Sequence, residues 1–113
     1  MAMLAEKRCA PCEGGVPALQ RAAAEALLKQ LEPRWTLSAD AKQLQASFDF
    51  RNYYRVLAFI NAVAYIANQE DHHPDIDFGY NRCTIRWWTH SVDGLSDNDF
   101  ICAAKVDRLA DGK

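Results

Sequence analysis

One long apolar segment restricts the fold of this chain more than any other feature. It lies between two pairs of short segments in which apolar and polar residues alternate. Residues 52–71 predict a helix, because Asn52 is a good N-cap and a proline follows shortly after the segment. On each side of it, apolar and polar residues alternate as they do in half-buried strands. The strands are expected at residues 35–37 and 44–50 before the helix, and at residues 75–80 and 82–89 after it. Short turn segments separate the members of each pair, so each pair is expected to form an antiparallel hairpin.

Two further helices complete the predicted order of elements. Residues 18–31 carry apolar residues at helical spacing between two prolines, and another helical segment follows Ser96–Asp99, which fits a capping box. The expected fold class is therefore α+β, in the order α-β-β-α-β-β-α. We expect a four-stranded antiparallel sheet with the helices packed on one face, as a two-layer α/β arrangement. Residues 17–113 are expected to form this single domain, preceded by a flexible N-terminal arm over residues 1–16.

Length and charge limit the classes of function. A chain of 113 residues has room for one domain, and a formal net charge of −2 without a basic run argues against nucleic-acid binding. The first residues, Met1–Arg8, lack the apolar stretch of a secretory signal, and the longest apolar segment is interrupted by Asn61. We therefore expect a cytoplasmic protein that associates with neither nucleic acid nor membranes.

The four cysteines are expected to be free thiols, because no secretory signal points to an oxidising compartment. Cys83 and Cys102 lie in apolar patterns typical of core residues, whereas Cys9 and Cys12 form a Cys-x-x-Cys pair. That spacing is typical of half a zinc site or of a redox pair, but no second pair completes a knuckle. We expect the pair to be functionally silent, with metal binding or redox chemistry as the alternative.

All three histidines lie in the aromatic-rich second half of the chain, and they indicate proton transfer. Imidazole titrates near neutrality without special tuning. His72 and His73 occupy a predicted helix-to-strand corner, where capping of the helix C-terminus is the alternative for one of them. His90 follows the Trp87-Trp88 pair, whose aromatic surface suits a flat heterocyclic ligand. Three histidines and Asp99 also raise the question of a zinc site, but adjacent histidines rarely present ligands from one face, so no metal is expected.

The predicted central helix is more apolar than a helix with one face in water. Between residues 53 and 67 only Arg55 and Asn61 are strongly polar. A helix that lies on a sheet normally shows a polar stripe on its outer side. We therefore expect another subunit to cover part of this surface.

Three short motifs, read together, resemble those of the pterin-4a-carbinolamine dehydratase family. They are His72-His73-Pro74, Thr89-His90 and Gly94-Leu95-Ser96-x-x-Asp99, with the Trp-Trp strand between the first and the second. The resemblance extends over nearly the whole chain, and the element order of the family is the one predicted above. Bacterial members also have a similar N-terminal Cys-x-x-Cys.

The resemblance implies a function and a set of site residues. Members of the family dehydrate 4a-hydroxytetrahydrobiopterin to quinonoid dihydrobiopterin without a metal or an organic cofactor, and so recycle the pterin of aromatic amino acid hydroxylases. They form homodimers that pair into homotetramers. By motif, the implied catalytic residues are His72, His73, His90 and Asp99, with Asp99 expected to orient His90. The implied pterin-binding residues are His73, Pro74, Thr89 and Ser91.

One position departs from the pattern of the family. Many members have an acidic residue four positions before the first histidine, where this chain has Asn68. Glu70 is a substitute on a different helix face. We expect weaker binding or turnover if that carboxylate contributes. Two other roles implied by the resemblance stay open: a dimerisation cofactor of a transcription factor, which would use residues 53–66, and a role in molybdopterin metabolism.

Overall fold

The computed structural model describes residues 3–10 and 17–111 and has the predicted element order. The helices are α1 (Arg21–Leu28), α2 (Tyr53–Glu70) and α3 (Asp97–Ala110); the strands are β1 (Thr36–Leu37), β2 (Leu44–Asp49), β3 (Asp75–Phe78) and β4 (Arg82–Trp87). Short 3-10 turns cover Leu4–Glu6 and His90–Val92. The prediction of an α+β fold with a four-stranded antiparallel sheet is confirmed.

The strand order β1-β2-β4-β3 brings the two predicted hairpins side by side. In the central β2–β4 pair, Phe48 lies opposite Cys83 and Ala46 opposite Ile85, and all four side chains are buried. In the outer pair, Asp75 lies opposite Arg86. The residues just before β3 therefore lie beside those just after β4. This register brings the two histidine-bearing segments together.

Local signals set the limits of α2. The side chain of Asn52 accepts a hydrogen bond from the backbone N–H of Arg55 at 3.0 Å, as an N-cap does. At the other end, Asp71 adopts a left-handed conformation with φ of 52°, and the backbone N–H of His72 returns to the carbonyl of Ala67. Because of this reversal, His72 leaves the helix axis and enters the layer between helix and sheet.

Helix α2 has a buried face and an exposed apolar face. Val56, Phe59, Val63 and Ala67 recur at helical spacing and are buried. On the outside, Tyr54 and Tyr65 are 80% and 64% exposed. None of the helices in the described part of the chain is long and apolar enough to cross a membrane.

Helix α1 begins later and ends earlier than predicted. The backbone N–H of Leu19 donates to the carbonyl of Leu95 at 2.8 Å, and Gln20 has extended backbone angles. Because an N-cap residue has non-helical angles, Gln20 precedes the helix and Leu19 lies outside it. The helix therefore begins at Arg21, where the sequence pattern predicted residue 18.

Part of the predicted N-terminal arm is packed on the domain. Leu4 is buried at 5% exposure in the main core, and the amine of Lys105 on α3 donates to the carbonyl of Ala5 at 2.9 Å. Cys12 lies outside the described residues, so the role of the Cys-x-x-Cys pair stays a prediction. The start of the domain at residue 17 and the flexibility of the arm also stay predictions.

Candidate active site

The two histidine-bearing segments meet at a largely buried hydrogen bond between His72 and Asp99. Nε2 of His72 lies 2.6 Å from Oδ1 of Asp99. The His72 side chain is 11% exposed, whereas that of Asp99 is fully buried. The imidazole also stacks on Trp87, with ring centroids 5.6 Å apart and an angle of 7° between the planes. His72 is therefore fixed in both position and ring orientation.

Two further groups hold the carboxylate of Asp99. Its Oδ2 accepts from the hydroxyl of Thr89 at 2.8 Å and from the backbone N–H of Ser96 at 3.0 Å. The contact with Ser96 belongs to a capping box at the start of α3, as the sequence pattern indicated. The Ser96 and Thr89 hydroxyls are also hydrogen-bonded, at 2.7 Å. Asp99 therefore caps its helix and orients a histidine with the same carboxylate.

The histidine that Asp99 contacts is not the expected one. From sequence we expected Asp99 to orient His90, but its oxygens bind His72, Thr89 and Ser96. The backbone of Thr89 pairs with Gly94, so the chain turns immediately into the short helix that His90 begins. His90 is exposed there, and its ring packs against Trp88 at 4.7 Å between centroids.

His73 contacts the residue at which the chain departs from the family pattern. Its Nε2 lies 3.3 Å from Oδ1 of Asn68, and both residues are exposed. Glu70 does not take the place of an acid there. Its carboxylate accepts from the backbone N–H of Cys9 at 2.8 Å and pairs with Arg8 at 2.9 Å. The acidic group nearest to this position in sequence is therefore bound to the N-terminal segment.

A cleft of about 710 Å³ lies over these residues, within the range of small-molecule sites. Of the residues predicted from sequence, it is lined by His72, His73, Pro74, Thr89, His90 and Ser91, and Trp88 adds aromatic surface. Asp99 lies beneath this lining.

Sequence reasoning missed Cys9, Ala10 and Asn98 as part of the wall, and it considered Glu70 only as a substitute for an acid at position 68. Only the position of Cys9 in a Cys-x-x-Cys pair drew attention to this segment. The thiols of Cys9 and Cys102 are 3.5 Å apart, and this hydrogen bond together with burial raises the pKa of Cys102 well above its ordinary value. Among residues 3–10 and 17–111, no group of three or more histidine, cysteine or acidic side chains could hold a metal ion.

Comparison with known proteins agrees with the resemblance seen in the motifs. A family model described as pterin 4 alpha carbinolamine dehydratase matches residues 17–109. A candidate pterin-4-alpha-carbinolamine dehydratase of Nitrosomonas eutropha is 56% identical over 106 residues, which cover 94% of this chain and 92% of the relative. Its counterpart in Dechloromonas aromatica is 46% identical over the same shares of the two chains.

Two solved structures have a similar fold. A transcriptional coactivator/pterin dehydratase from Brucella melitensis superimposes with a TM-score of 0.77 at 27% identity, over 82% of this chain and 98% of that one. A pterin dehydratase-like protein, identified as a RuBisCO assembly factor in the alpha-carboxysome, gives a TM-score of 0.59 at 27% identity, over 67% of this chain and 88% of that one. The family model and the relatives together confirm the resemblance: this chain belongs to the pterin 4 alpha carbinolamine dehydratase family.

Proposed function

We propose that this protein is a hydro-lyase that converts 4a-hydroxytetrahydrobiopterin into quinonoid dihydrobiopterin and water. Membership in the family gives the reaction class. The observation that carries the proposal for the site is the contact between His72 and the buried carboxylate of Asp99, in the wall of a cleft that also contains His73 and His90. No metal or organic cofactor takes part in the proposed reaction.

The reaction requires two proton transfers, and the histidines have the chemistry for both. The departing 4a-hydroxyl takes up a proton, and N5 of the pterin loses one. His72 donates Nε2–H to Asp99, which leaves Nδ1 as its second proton-exchanging atom. A buried carboxylate stabilises the imidazolium that forms when Nδ1 accepts a proton. We assign proton transfer to His72, with Asp99 as its positioning residue.

His73 and His90, which are more exposed than His72, are assigned to binding of the pterin and to the second proton transfer. His73 and His90 border the same cleft from opposite segments, and Trp88 packs beside His90. Aromatic and imidazole faces suit a flat pterin ring. Pro74 and Ser91 complete the proposed contacts. The hydroxyl of Thr89 is bound to Asp99 and Ser96, so Thr89 supports the site mainly through that carboxylate.

The decay of the 4a-carbinolamine absorbance tests the activity. Recombinant protein should speed this decay above the spontaneous rate, and the His72→Ala, His73→Ala double variant should lose the acceleration. Of the single variants, His72→Ala should mainly lower kcat and His73→Ala should mainly raise KM. Tyr80→Ala is a suitable control, because Tyr80 is 67% exposed and does not line the cleft. A wild-type protein that leaves the decay at its spontaneous rate would refute the proposal.

We also propose that the protein forms a homodimer or homotetramer through α2. Tyr54, Leu57 and Tyr65 on this helix are exposed large hydrophobic residues, which favours cover by a second copy. The same face is the one that a protein-binding role would use, and the Brucella melitensis relative is described as a coactivator as well as a dehydratase. If the double histidine variant loses dehydration but keeps its assembly, as measured by light scattering, the two functions are separate.

The proposed cellular role is pterin recycling beside an aromatic amino acid hydroxylase in the cytoplasm, where free thiols persist. A role in molybdopterin metabolism remains the alternative. Comparing turnover of the biopterin carbinolamine with binding of molybdopterin precursors would distinguish the two roles.

A further inference from the structure

Three successive residues of the N-terminal segment cross from the end of α2 to the start of α3. Arg8 pairs through Nε with Oε2 of Glu70 at 2.9 Å and donates from Nη2 to the carbonyl of Gln69 at 3.3 Å. The backbone N–H of Cys9 donates to Oε1 of the same glutamate at 2.8 Å. The Glu70 side chain is only 4% exposed, so its carboxylate is shielded from water, whereas the Arg8 side chain is 71% exposed.

The other end of the crossing is bound to α3. The backbone N–H of Ala10 donates to Oδ1 of Asn98 at 3.1 Å, and Nδ2 of Asn98 donates to the Ala10 carbonyl at 2.6 Å. Asn98 is 6% exposed. The thiol of Cys9 lies 3.5 Å from that of Cys102 and 3.7 Å from the Asn98 carbonyl. Both ends are thus fixed by buried polar groups.

The two anchors lie next to the residues of the proposed proton-transfer pair. Glu70 precedes His72 by two positions, and Asn98 directly precedes Asp99. The crossing therefore connects the same two chain segments that the 2.6 Å bond between His72 and Asp99 connects. A shift of α2 relative to α3 would lengthen that bond, and the crossing opposes such a shift. Cys9 and Ala10 also border the cleft.

We propose that residues 8–10 form a strap that sets the distance between His72 and Asp99, with Glu70 and Asn98 as its positioning residues. The proposal rests on the function proposed above, in which this pair transfers a proton. The family model begins its match at residue 17, so the strap is additional to the part of the chain that the model describes. The strap also gives the N-terminal segment a role in the site.

Alanine at either anchor should loosen the pair. Because Glu70 and Asn98 also border the cleft, a lost contact with the pterin would raise KM, whereas a loosened pair lowers kcat. We expect Asn98→Ala and Glu70→Ala each to lower kcat by about 10- to 100-fold, the size of effect that a small misplacement of catalytic groups produces. Asp97→Ala is the matched control, since Asp97 is exposed and adjacent to Asn98 in the same helical turn. It should stay within about twofold of the wild type, the scatter of a surface substitution.

A disulfide between Cys9 and Cys102 provides a rescue that a purely structural role would not show. In a Cys12→Ser background, diamide should take two electrons and two protons from the pair of thiols and leave one S–S bond. The sulfur atoms need to approach by about 1.5 Å to reach bonding distance. The bond replaces the lost anchor covalently, so the oxidised Asn98→Ala variant should regain most of its kcat and lose it again in dithiothreitol.

Three results would overturn the strap. These are wild-type kcat/KM in both alanine variants, no gain in kcat when Asn98→Ala is oxidised, and no Cys9–Cys102 disulfide in mass spectrometry after oxidation of the wild type. The test separates the strap from the function. If wild-type protein fails to dehydrate the pterin, the function is refuted, and the strap is then judged by whether Asn98→Ala changes the ¹⁵N chemical shift of His72 Nε2 and speeds alkylation of Cys102.

Discussion

Replacing Asp99 by asparagine tests the link between the buried carboxylate and the chemistry. The substitution keeps the size of the side chain but replaces one oxygen by an NH₂ donor. Asparagine can keep its carbonyl toward Thr89 and Ser96, whose hydroxyl and backbone N–H donate at 2.8 and 3.0 Å. Its NH₂ group then faces Nε2 of His72. The opposite orientation would place two donors against each other at Ser96, so the first is favoured.

The favoured orientation reverses the tautomer of His72. Nε2 must accept from the new amide, so the ring proton moves to Nδ1, and this atom can no longer accept a proton. We expect kcat to fall by about 10² to 10⁴-fold, as removal of a general base or locking of the wrong tautomer does. The hydrogen bonds also lose their charge assistance, which should lower the free energy of unfolding by about 1–2 kcal/mol. In a domain of this size that corresponds to a decrease in Tm of about 4–8 °C.

Two measurements on the same protein check these values. Stopped-flow decay of the carbinolamine gives kcat, and thermal unfolding monitored by circular dichroism gives Tm. Asp97→Asn is the control, because Asp97 is an exposed carboxylate two residues earlier in α3. A folded Asp99→Asn protein with kcat within twofold of the wild type would show that His72 does not depend on this carboxylate.

Three other substitutions test separate parts of the structure. Asn68→Asp should lower KM for the pterin by about two- to fivefold in steady-state kinetics. The reason is that an exposed carboxylate at position 68 adds a modest attraction for a protonated His73. Burial raises the pKa of Asp107 above its ordinary value of 3.8, so the folded state favours the neutral acid. Its stabilising contribution is complete below about pH 3.8 and is lost as pH rises through the raised pKa. Urea unfolding from pH 3 to 7 should therefore show Asp107→Asn gaining stability relative to the wild type over this window. Tyr54→Glu, at a position that is 80% exposed on α2, should reduce the oligomer to smaller species in light scattering, whereas an unchanged mass would contradict assembly through this face.

The fold was predictable because its main signals are local. The alternation in β2 and β4, the cap at Asn52 and the capping box before α3 each depend on residues within one element. The limits of α1 were wrong for the opposite reason. Leu19 is held by the backbone of Leu95, a partner 76 positions away, and no periodicity within residues 18–31 reports that contact.

The site was predictable in its residues but not in its contacts. The histidine motifs pointed to the residues that line the cleft, yet the partner of Asp99 depends on the register of β3 against β4 and on the turn that begins at His90. The strap was missed altogether. Its bonds join residues 61 to 93 positions apart, and the carboxylate and amide that anchor it have no sequence signature that distinguishes them from surface residues.

The difference between positions 68 and 70 explains why Glu70 binds the N-terminal strap while His73 contacts an amide. Two positions along a helix correspond to a rotation of about 200°, so side chains at 68 and 70 face nearly opposite directions. Asn68 faces His73, whereas Glu70 faces the N-terminal strap. His72 therefore has a fixed carboxylate partner and a stacked ring, while His73 has one neutral amide at 3.3 Å. An imidazole held in this rigid way suits proton transfer, and a loosely held one suits contact with a substrate that arrives and leaves. The departure at Asn68 should consequently affect KM, and leave the proton-transfer step at His72 intact.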